Sequence, residues 1–505
     1  MSRRVILVVL GCATLGACNV GPDYKTPAVP VPATFQESSA TQAAAPLSRP
    51  VDTTADIAVW WSQLQDSELD RLIAGALEEN LDVQSAASRV RQARQQEIIA
   101  GAAELPTVSA TGVGLNTHSN SNFIGKLTGA PSSQTDMPAN MKLYSAGFDA
   151  SWEIDIFGGT RRAMEAAAAN TEASLWGMRD AEVTLTAEIA ADYLALRAAQ
   201  ARIALLRQQS GDQQVLFNII RARANAGFVT HLDVNQQQTL VSTTQAEIPQ
   251  LEAQVRIMAH ALAVLSGRQP ESLTAELAAP TGLPPIPATL PVGLPSDLLR
   301  RRPDIREAER KLAAATAQIG VAVADLYPKF DLTGLASFTS NHLSNLLVPG
   351  SFGTIGLAQI SWPIFEAGKI HANIRANEEQ QLQAYLAYRK AVLSALEDAE
   401  DALARYTTEQ RRLLATREAA AAATSSVAIA QAQYRAGLTP FINVLTAQTN
   451  SLSSRDQLVQ SQQALATDLA SLFKALGGGW SATAVNPDTR PATPLAQSTL
   501  PDWLP

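Results

Sequence analysis

Few side chains in this sequence are of the types that perform covalent or metal chemistry, and their spacing does not suit it. The five histidines are far apart, so no two have the short separation that is typical of a local metal site. They are His118, His231, His260, His342 and His371. We therefore expect no catalytic centre, no metal ion and no cofactor, and an enzyme is the least favoured class of function.

Two clusters of charged side chains are more typical of structure than of a binding site. Positions 397–401 carry four carboxylates in a helical stretch, which usually indicates a solvated helix face; a cation site facing a channel is the alternative. Three arginines at positions 300–302 precede Pro303, which favours capping and salt bridging at a helix junction over ligand binding. The carboxylates are Glu397, Asp398, Glu400 and Asp401.

Both cysteines lie in the first eighteen residues, within a pattern typical of bacterial secretion signals. Arg3 and Arg4 precede a short apolar run, and small residues then lead to Cys18. The pattern predicts a lipoprotein signal peptide at 1–17 and a covalent acyl lipid such as palmitate on Cys18; an ordinary signal peptide is the alternative. Residues 18–65, which are rich in Pro, Ala, Thr and Ser, are then expected to form a lipidated, extended tether.

The rest of the chain contains one structural unit twice. Landmarks of the first half recur in the second at nearly constant separation, which indicates a tandem duplication. The recurring pairs are Asp82 and Asp304, Pro106 and Pro328, Gly112 and Gly334, and Gly227 and Gly437. Each repeat has the order helix, strand, strand, long helix, helix. The predicted divisions are a first repeat at 66–267, a proline-rich linker at 268–295, a second repeat at 296–479 and a tail at 480–505.

Two very long helices dominate the prediction. Residues 160–225 contain no proline and have apolar residues every seven positions, which predicts one helix of about 99 Å at 1.5 Å per residue. Residues 367–435 predict its counterpart. Gly227 and Gly437 are suited to end these helices in the left-handed conformation. Shorter helices are predicted at 67–79, 82–103, 232–265 and 304–325, with a last one that ends near 476.

Four segments alternate between apolar and polar residues, with a period of two that predicts strands. In the second of them Phe148, Trp152 and Ile154 share one face, while Asp149 and Glu153 share the other. The predicted strands cover 105–117, 148–155, 330–339 and 351–364, and residues 116–140 read as a long loop. The aromatic side chains Phe148, Trp152, Phe330 and Phe338 are expected to face lipid; a soluble β-core is the alternative.

The strand count predicts an oligomer. No segment after the signal has 18 consecutive apolar residues, whereas the strands have the length of outer-membrane strands. Four strands cannot close a barrel, and open edges are prohibitive in a bilayer, so copies of the chain must combine their strands. Each chain also supplies four helical rods. Twelve rods packed about 10 Å apart would enclose a bore of roughly 28 Å, compared with roughly 15 Å for the eight rods of a dimer.

Four motifs together resemble the TolC-like outer-membrane efflux family, in its NodT-type lipoprotein branch. The resemblance covers nearly the whole mature chain. The motifs are Cys18 to Tyr24, Ser151 to Gly159, Leu298 to Gly334 and Lys474 to Trp480. The family implies an α+β membrane protein: a homotrimer with a twelve-stranded transmembrane β-barrel in the outer membrane, continued by a twelve-helix α-barrel, a coiled-coil tunnel in the periplasm.

The resemblance also implies a function. Such a protein is the passive exit duct of a tripartite efflux pump, which expels drugs or other small toxic solutes and so supports antibiotic resistance. Its partners are a periplasmic adaptor (membrane fusion) protein, an inner-membrane efflux transporter and outer-membrane lipid. Nucleic acid is not expected as a partner, because the net charge is −8 and no basic cluster is present.

The resemblance further assigns a gate to the turns around Gly227 and Gly437, at the expected periplasmic mouth. Asp233 and Tyr434 occupy positions where the family links its coils to hold the tunnel shut; an ordinary surface pair is the alternative. Asn443 and Thr446 stand in the tip lumen where some members carry acidic rings. Thr439 replaces an arginine of the closing network, so this tip departs from the family pattern in both charge and gate.

Two other functions remain open at this point. One is an outer-membrane duct for protein secretion, against which lipidation and the NodT-like motifs favour small-molecule efflux. The other is a periplasmic scaffold lipoprotein with long helices and no pore, which would have no barrel strands.

Overall fold

The computed structural model describes residues 19–37, 49–51, 57–118 and 140–481. The predicted signal peptide, the lipid attachment residue Cys18, most of the predicted loop at 116–140 and the tail after Ser481 lie outside these ranges. The chain forms two compact units. The strand unit comprises Met1–Thr26, Gln92–Thr171 and Arg310–Leu386, and the helical unit comprises Pro27–Arg91, Glu172–Glu309 and Ala387–Pro505.

The helices fall close to the predicted ranges because the hydrophobic period and the end signals agree. Two long helices of 67 residues each occupy equivalent places in the two repeats. The second begins two residues later than predicted, because Ala367 and Gly368 have left-handed φ values of 49° and 84°. The helices are α1 Ser67–Glu79, α2 Leu81–Ala102, α3 Gly159–Asn225, α4 His231–Leu265, α5 Pro295–Arg301, α6 Pro303–Ala324, α7 Lys369–Arg435 and α8 Phe441–Ala475.

The strand unit contains a four-stranded antiparallel sheet. Its order is β2-β3-β5-β6, with β2 Thr107–His118, β3 Asn140–Ile154, β5 Lys329–Ser340 and β6 Phe352–Ser361. The last predicted strand, 351–364, therefore ends three residues early. Strands β2 and β6 each lack a hydrogen-bonded neighbour on their outer side within the described part of the chain.

The two segments predicted to be extended are more ordered than their composition suggests. The linker at 268–295 forms two 3-10 turns and a short strand, β4 Thr289–Pro291, which pairs in parallel with β1 Arg49–Val51 of the predicted tether. Within the tether, Trp60 is fully buried and stacks on Phe473 at a centroid distance of 5.0 Å. The predictions of an extended linker and an extended tether are therefore wrong in part, because apolar residues of the two segments pack against the helices and the segments pair with each other.

The helix junction at Arg302 connects three helices of the helical unit. Its guanidinium donates to both carboxylate oxygens of Asp304, at 3.0 and 2.7 Å, to Asp398 on α7 at 2.9 Å, and to the carbonyl of Ala475 at the end of α8, at 3.1 Å. The predicted capping and salt bridging is confirmed at this arginine. Trp480, assigned to the tail, belongs to the same junction, because its indole donates to the carbonyl of Arg301 at 2.9 Å.

The carboxylate cluster at 397–401 is only partly a solvated face. Asp398 pairs with Arg302. Glu400 accepts hydrogen bonds from the backbone N–H groups of Gln36 and Glu37, at 2.8 and 3.1 Å.

Within the described ranges, no group of three or more metal-ligating side chains is positioned to hold an ion. No helix in the described part of the chain has the length and apolar character needed to cross a membrane.

A half-buried carboxylate beside the Arg302 junction predicts a pH effect. Burial raises the pKa of Asp180, and the negative charges of Asp304 and Glu307 raise it further, against the opposing charges of Arg302 and Lys474. Because the folded-state pKa lies above the unfolded value, protonation stabilises the fold, and this stability is lost as pH rises through the raised pKa. We expect Asp180→Asn to increase the free energy of unfolding near neutral pH by up to about 1 kcal/mol.

The measurement is thermal unfolding followed by helix circular dichroism across pH 4 to 8. The variant should gain less stability on acidification than the unmodified protein does. Glu397→Gln, at an exposed position on α7, is the matched control and should change stability by no more than about 0.5 kcal/mol. A variant that is less stable near neutral pH would contradict the assignment.

Candidate functional site

The sheet of the strand unit has one predominantly apolar and one predominantly polar face. The register places Phe148 beside Ala336, Trp152 beside Leu332 and Ile154 beside Phe330. The predicted apolar side is therefore confirmed as one continuous face, and Phe148 on it is exposed. An exposed apolar face on a sheet of this size is typical of a surface that contacts lipid or a partner.

Two tryptophans hold equivalent places where a strand meets the preceding helix of its repeat. The indole of Trp152 donates to the carbonyl of Glu104 at 2.9 Å, and that of Trp362 donates to the carbonyl of Leu326 at 3.0 Å. The indole ring is apolar, and its N–H group is hydrogen-bonded in both cases. Such a side chain is suited to the boundary between an apolar and a polar medium. Trp362 was not among the predicted residues, although the repeat offset that relates Gly227 to Gly437 also relates Trp152 to Trp362.

The polar face carries acidic side chains at one end. Glu153 is paired with Asp331, and Asp331 with Gln359, so the three lie in one row across the sheet. Strand β6 departs from strict alternation, since Ile355 and Leu357 occupy the polar face. The predicted alternation is therefore interrupted in β6.

The two helical hairpin turns are built alike. At the end of α3 the N–H of Gly227 bonds the carbonyl of Ala224 at 2.9 Å, and the N–H of Phe228 bonds that of Arg223 at 2.9 Å. The same pair of bonds follows α7 at Gly437, and both glycines have positive φ, 79° and 73°. This is the Schellman arrangement, in which a left-handed glycine satisfies the last carbonyls of a helix.

Asp233 begins the helix that follows the first turn. Its carboxylate accepts from the backbone N–H of Thr230, and its own N–H donates to the Thr230 hydroxyl, both at 3.4 Å. This capping box satisfies two N–H groups at the start of α4. In the second turn Pro440 takes the position of Thr230, so the capping box is absent there.

Tyr434 lies inside the hairpin region, not on its surface. It packs in a buried cluster with Leu216, Ile220, Phe441 and Val444. Its hydroxyl has no hydrogen-bond partner among the described residues, so it forms no hydrogen bond to Asp233 there. The gate assigned to these two residues stays a prediction.

A charged side chain, Arg223, also lies beside Tyr434, and it was not predicted from the sequence. Its guanidinium carbon lies 5.3 Å from the centre of the Tyr434 ring. Burial raises the pKa of the Tyr434 phenol; the positive charge of Arg223 opposes this increase and the negative charge of Asp233 adds to it. The available signal was a basic residue in the last turn of a long helix, which favours the helix dipole.

Asn443 and Thr446 are both exposed and lie one helical turn apart on α8. Their side chains bond locally: the Asn443 amide donates to the Thr439 hydroxyl at 2.5 Å, and the Thr446 hydroxyl to the carbonyl of Ile442 at 2.9 Å. These neutral groups form no acidic site.

Comparisons with known proteins agree with this fold. The family model described as outer membrane efflux protein matches residues 72–268 and 294–478. The chain is 31% identical to "Nodulation protein T" of Rhizobium leguminosarum bv. viciae, over 96% of this chain and 94% of that protein. It is 32% identical to "Toluene efflux pump outer membrane protein TtgC" of Pseudomonas putida, over 95% of this chain and 96% of that protein.

A solved structure is also similar. The outer-membrane channel OprN superposes with a TM-score of 0.84 at 32% sequence identity, covering 92% of this chain and all of that one. Similarity to efflux proteins along nearly the whole chain favours neither protein secretion nor a scaffold without a pore. The chain belongs to the outer membrane efflux protein family and is an outer-membrane channel component of an efflux pump.

Proposed function

We propose that the protein is a homotrimer whose three sheets close one twelve-stranded transmembrane barrel. The observation that carries the proposal is the sheet whose two edge strands, β2 and β6, of 12 and 10 residues, have no further partner among the described residues. Each unpaired backbone group would cost several kcal/mol in hydrocarbon, so an open sheet of this length is not viable there. Joining β6 of one protomer to β2 of the next removes both edges.

The helices continue the duct in this proposal. Each protomer contributes two long helices, α3 and α7, and each repeat adds a second rod made of a shorter helix and a return helix. Three protomers then supply twelve rods, which form the periplasmic tunnel. The equivalence of the two hairpin turns supports this arrangement, because a ring of near-identical units needs near-identical turns.

The proposed cargo is drugs or other small toxic solutes, which pass through the duct without chemical change. The name of the toluene efflux protein supports small apolar solutes over secreted proteins. No cofactor is proposed; energy would come from the partner pump. An acyl lipid on Cys18 is proposed to anchor the N-terminus in the outer membrane.

The proposed partners are a periplasmic adaptor protein and an inner-membrane efflux transporter. Each hairpin turn presents large apolar side chains to solvent: Phe228 and Leu232 at the first, and Leu438 and Ile442 at the second. Phe228 and Leu438, which follow the two turn glycines, are 76% and 79% exposed. Exposed apolar residues at equivalent turns support docking of the adaptor there. We also propose that Asp233 and Tyr434 act in the gate.

Disulfide trapping tests the trimer. Both natural cysteines lie at the N-terminus, so no cysteine in the rest of the chain competes with a pair of cysteines introduced at the two sheet edges. Each variant carries Ser109→Cys on β2 and one further cysteine on β6, at a position between 353 and 359. At least one of these variants should form a disulfide between neighbouring protomers. We expect covalent dimers and trimers, and no larger species, at the one or two positions where Cβ atoms come within about 4.5 Å.

Ser109→Cys alone is the control and should give no ladder. Cross-linking at no position would contradict closure between β2 and β6. A ladder that extends beyond trimers would contradict the stoichiometry.

A further inference from the structure

The first described residues of the chain lie in a fitted cleft of the strand unit. The N–H of Val20 donates to the carbonyl of Phe157 at 3.1 Å, as in a short stretch of backbone pairing. The Arg162 guanidinium donates to the carbonyl of Val20 at 3.0 Å, to that of Gly21 at 3.4 Å and to the carboxylate of Asp23 at 2.7 Å. The Arg162 side chain on α3 therefore binds two backbone carbonyls and one carboxylate of this segment.

Arg162 is buried, with 2% of its side chain exposed, so its charge requires partners. The other acidic partner is Glu165 on the same helix, at 2.7 Å. A buried guanidinium that loses its hydrogen-bond acceptors pays a large desolvation penalty. Val20, Gly21 and Asp23 supply three of the four residues that accept hydrogen bonds from this guanidinium, so the segment meets most of its hydrogen-bonding need.

Glycines permit the close approach of the segment to the unit. Gly21 has a positive φ of 87°, and a Cβ atom there would lie 2.4 Å from the Cα of Gly320 on α6. A Cβ at Gly320 would lie 2.7 Å from Cγ of Arg162. The segment and α6 therefore each have a glycine where they meet, and a side chain at either position would clash.

An aromatic side chain extends the contact. Tyr24 packs against Ala169 on α3 and against Ala313 and Ala314 on α6. The guanidinium carbon of Arg310 lies 5.6 Å from the centre of its ring. The segment from Asn19 to Tyr24 is held by backbone pairing, a buried arginine and an aromatic contact, which together exceed what an extended tether needs.

We propose that the cleft around Arg162 is a binding site for the chain's own N-terminal segment, Asn19–Tyr24. The site fixes the polypeptide that directly follows Cys18 to the strand unit. The membrane anchor and the sheet then move as one body. Docking itself does not depend on the proposed lipid; only its consequence for anchoring rests on the proposed function.

Hydrogen exchange tests the proposal on the full-length protein purified from membranes in detergent. We expect the Val20 amide to exchange roughly a hundredfold more slowly than in an unstructured peptide. The same protection should persist in a Cys18→Ser variant without lipid, so failure of lipidation and failure of docking give different results. Exchange of Val20 at the unstructured rate in the unmodified protein would overturn the proposal.

Two variants separate docking from general unfolding. Gly21→Ala changes the segment alone and should raise Val20 exchange by roughly tenfold or more, with amides of α3 and the sheet unchanged. Arg162→Gln should raise it similarly, whereas the adjacent Arg161→Gln should not, because Arg161 contacts Asp155 and the carbonyl of Ile156 instead. Unchanged Val20 protection in Gly21→Ala and Arg162→Gln would show that the contacts do not hold the segment.

Discussion

Replacing Arg302 with glutamine is expected to lower the free energy of unfolding by about 1.5 to 3 kcal/mol, which is typical of losing hydrogen bonds between charged groups that are partly exposed. Only 12% of the arginine side chain is exposed. The substitution removes the charge that pairs with Asp304 and Asp398, and it weakens the tie to the carbonyl of Ala475. The check is the thermal unfolding midpoint, followed by helix circular dichroism in detergent.

Arg300→Gln is the matched control, two residues away. Arg300 is 75% exposed and pairs only locally, with Asp297 at 2.6 Å. Asp297 is buried, but it keeps the hydrogen bond from the N–H of Leu294 when Arg300 is replaced. Because the Arg300 side chain itself is mostly in water, its loss should cost no more than about 1 kcal/mol, and the midpoint should fall less than it does in Arg302→Gln. Equal effects of the two substitutions would refute the role given to the Arg302 junction.

Gly479→Ala is expected to destabilise the protein by more than about 3 kcal/mol. The φ of Gly479 is +103°, and a Cβ atom would lie 2.4 Å from the hydroxyl oxygen of Thr186. Thr186 is fully buried, and its hydroxyl donates to the carbonyl of Val183, so it cannot move away freely. Backbone strain of about 1 to 3 kcal/mol and overpacking of similar size act together.

Gly437→Ala separates these two contributions. Gly437 also has a positive φ, 73°, but no atom lies within 4 Å of the position of its Cβ. Backbone strain alone should cost about 1 to 2 kcal/mol there. Thermal midpoints of both variants give the comparison. If Gly437→Ala destabilises the protein as much as Gly479→Ala does, steric contact with Thr186 is not the cause.

The helices and strands could be predicted because local signals agreed twice. Each long helix has an apolar period, no proline and a glycine at its end, and the duplication repeats these signals in the second half. In β3 the alternation fixes which residues share a face, and the register confirms it. Strand β6 was harder, because Ile355 and Leu357 break the alternation on the polar side.

The tether and linker could not be predicted, because their order comes from distant residues. Trp60 is buried by Phe473, which lies near the other end of the chain, and β1 pairs with β4 of the linker. Composition and period describe only near neighbours. A tryptophan in a segment without periodicity was the available sign that this segment docks.

The hairpin site was predicted in part. The turn glycines follow from the sequence, since few other residues adopt a positive φ at the end of a helix. The approach of Arg223 to Tyr434 does not follow, because it depends on how α3 packs against α7. The proposed action of Asp233 and Tyr434 in the gate depends in addition on the assembly.

Single-channel conductance in planar bilayers tests the central claim most directly. The lipidated protein is compared with a double variant, Tyr434→Phe and Asp233→Ala. We expect the unmodified protein to insert and conduct in discrete steps, and the variant to conduct markedly more. Equal conductance of the two proteins would contradict the gate assignment but would still support a channel. Lipidated, trimeric protein that inserts but never conducts would contradict the account of this chain as an efflux channel.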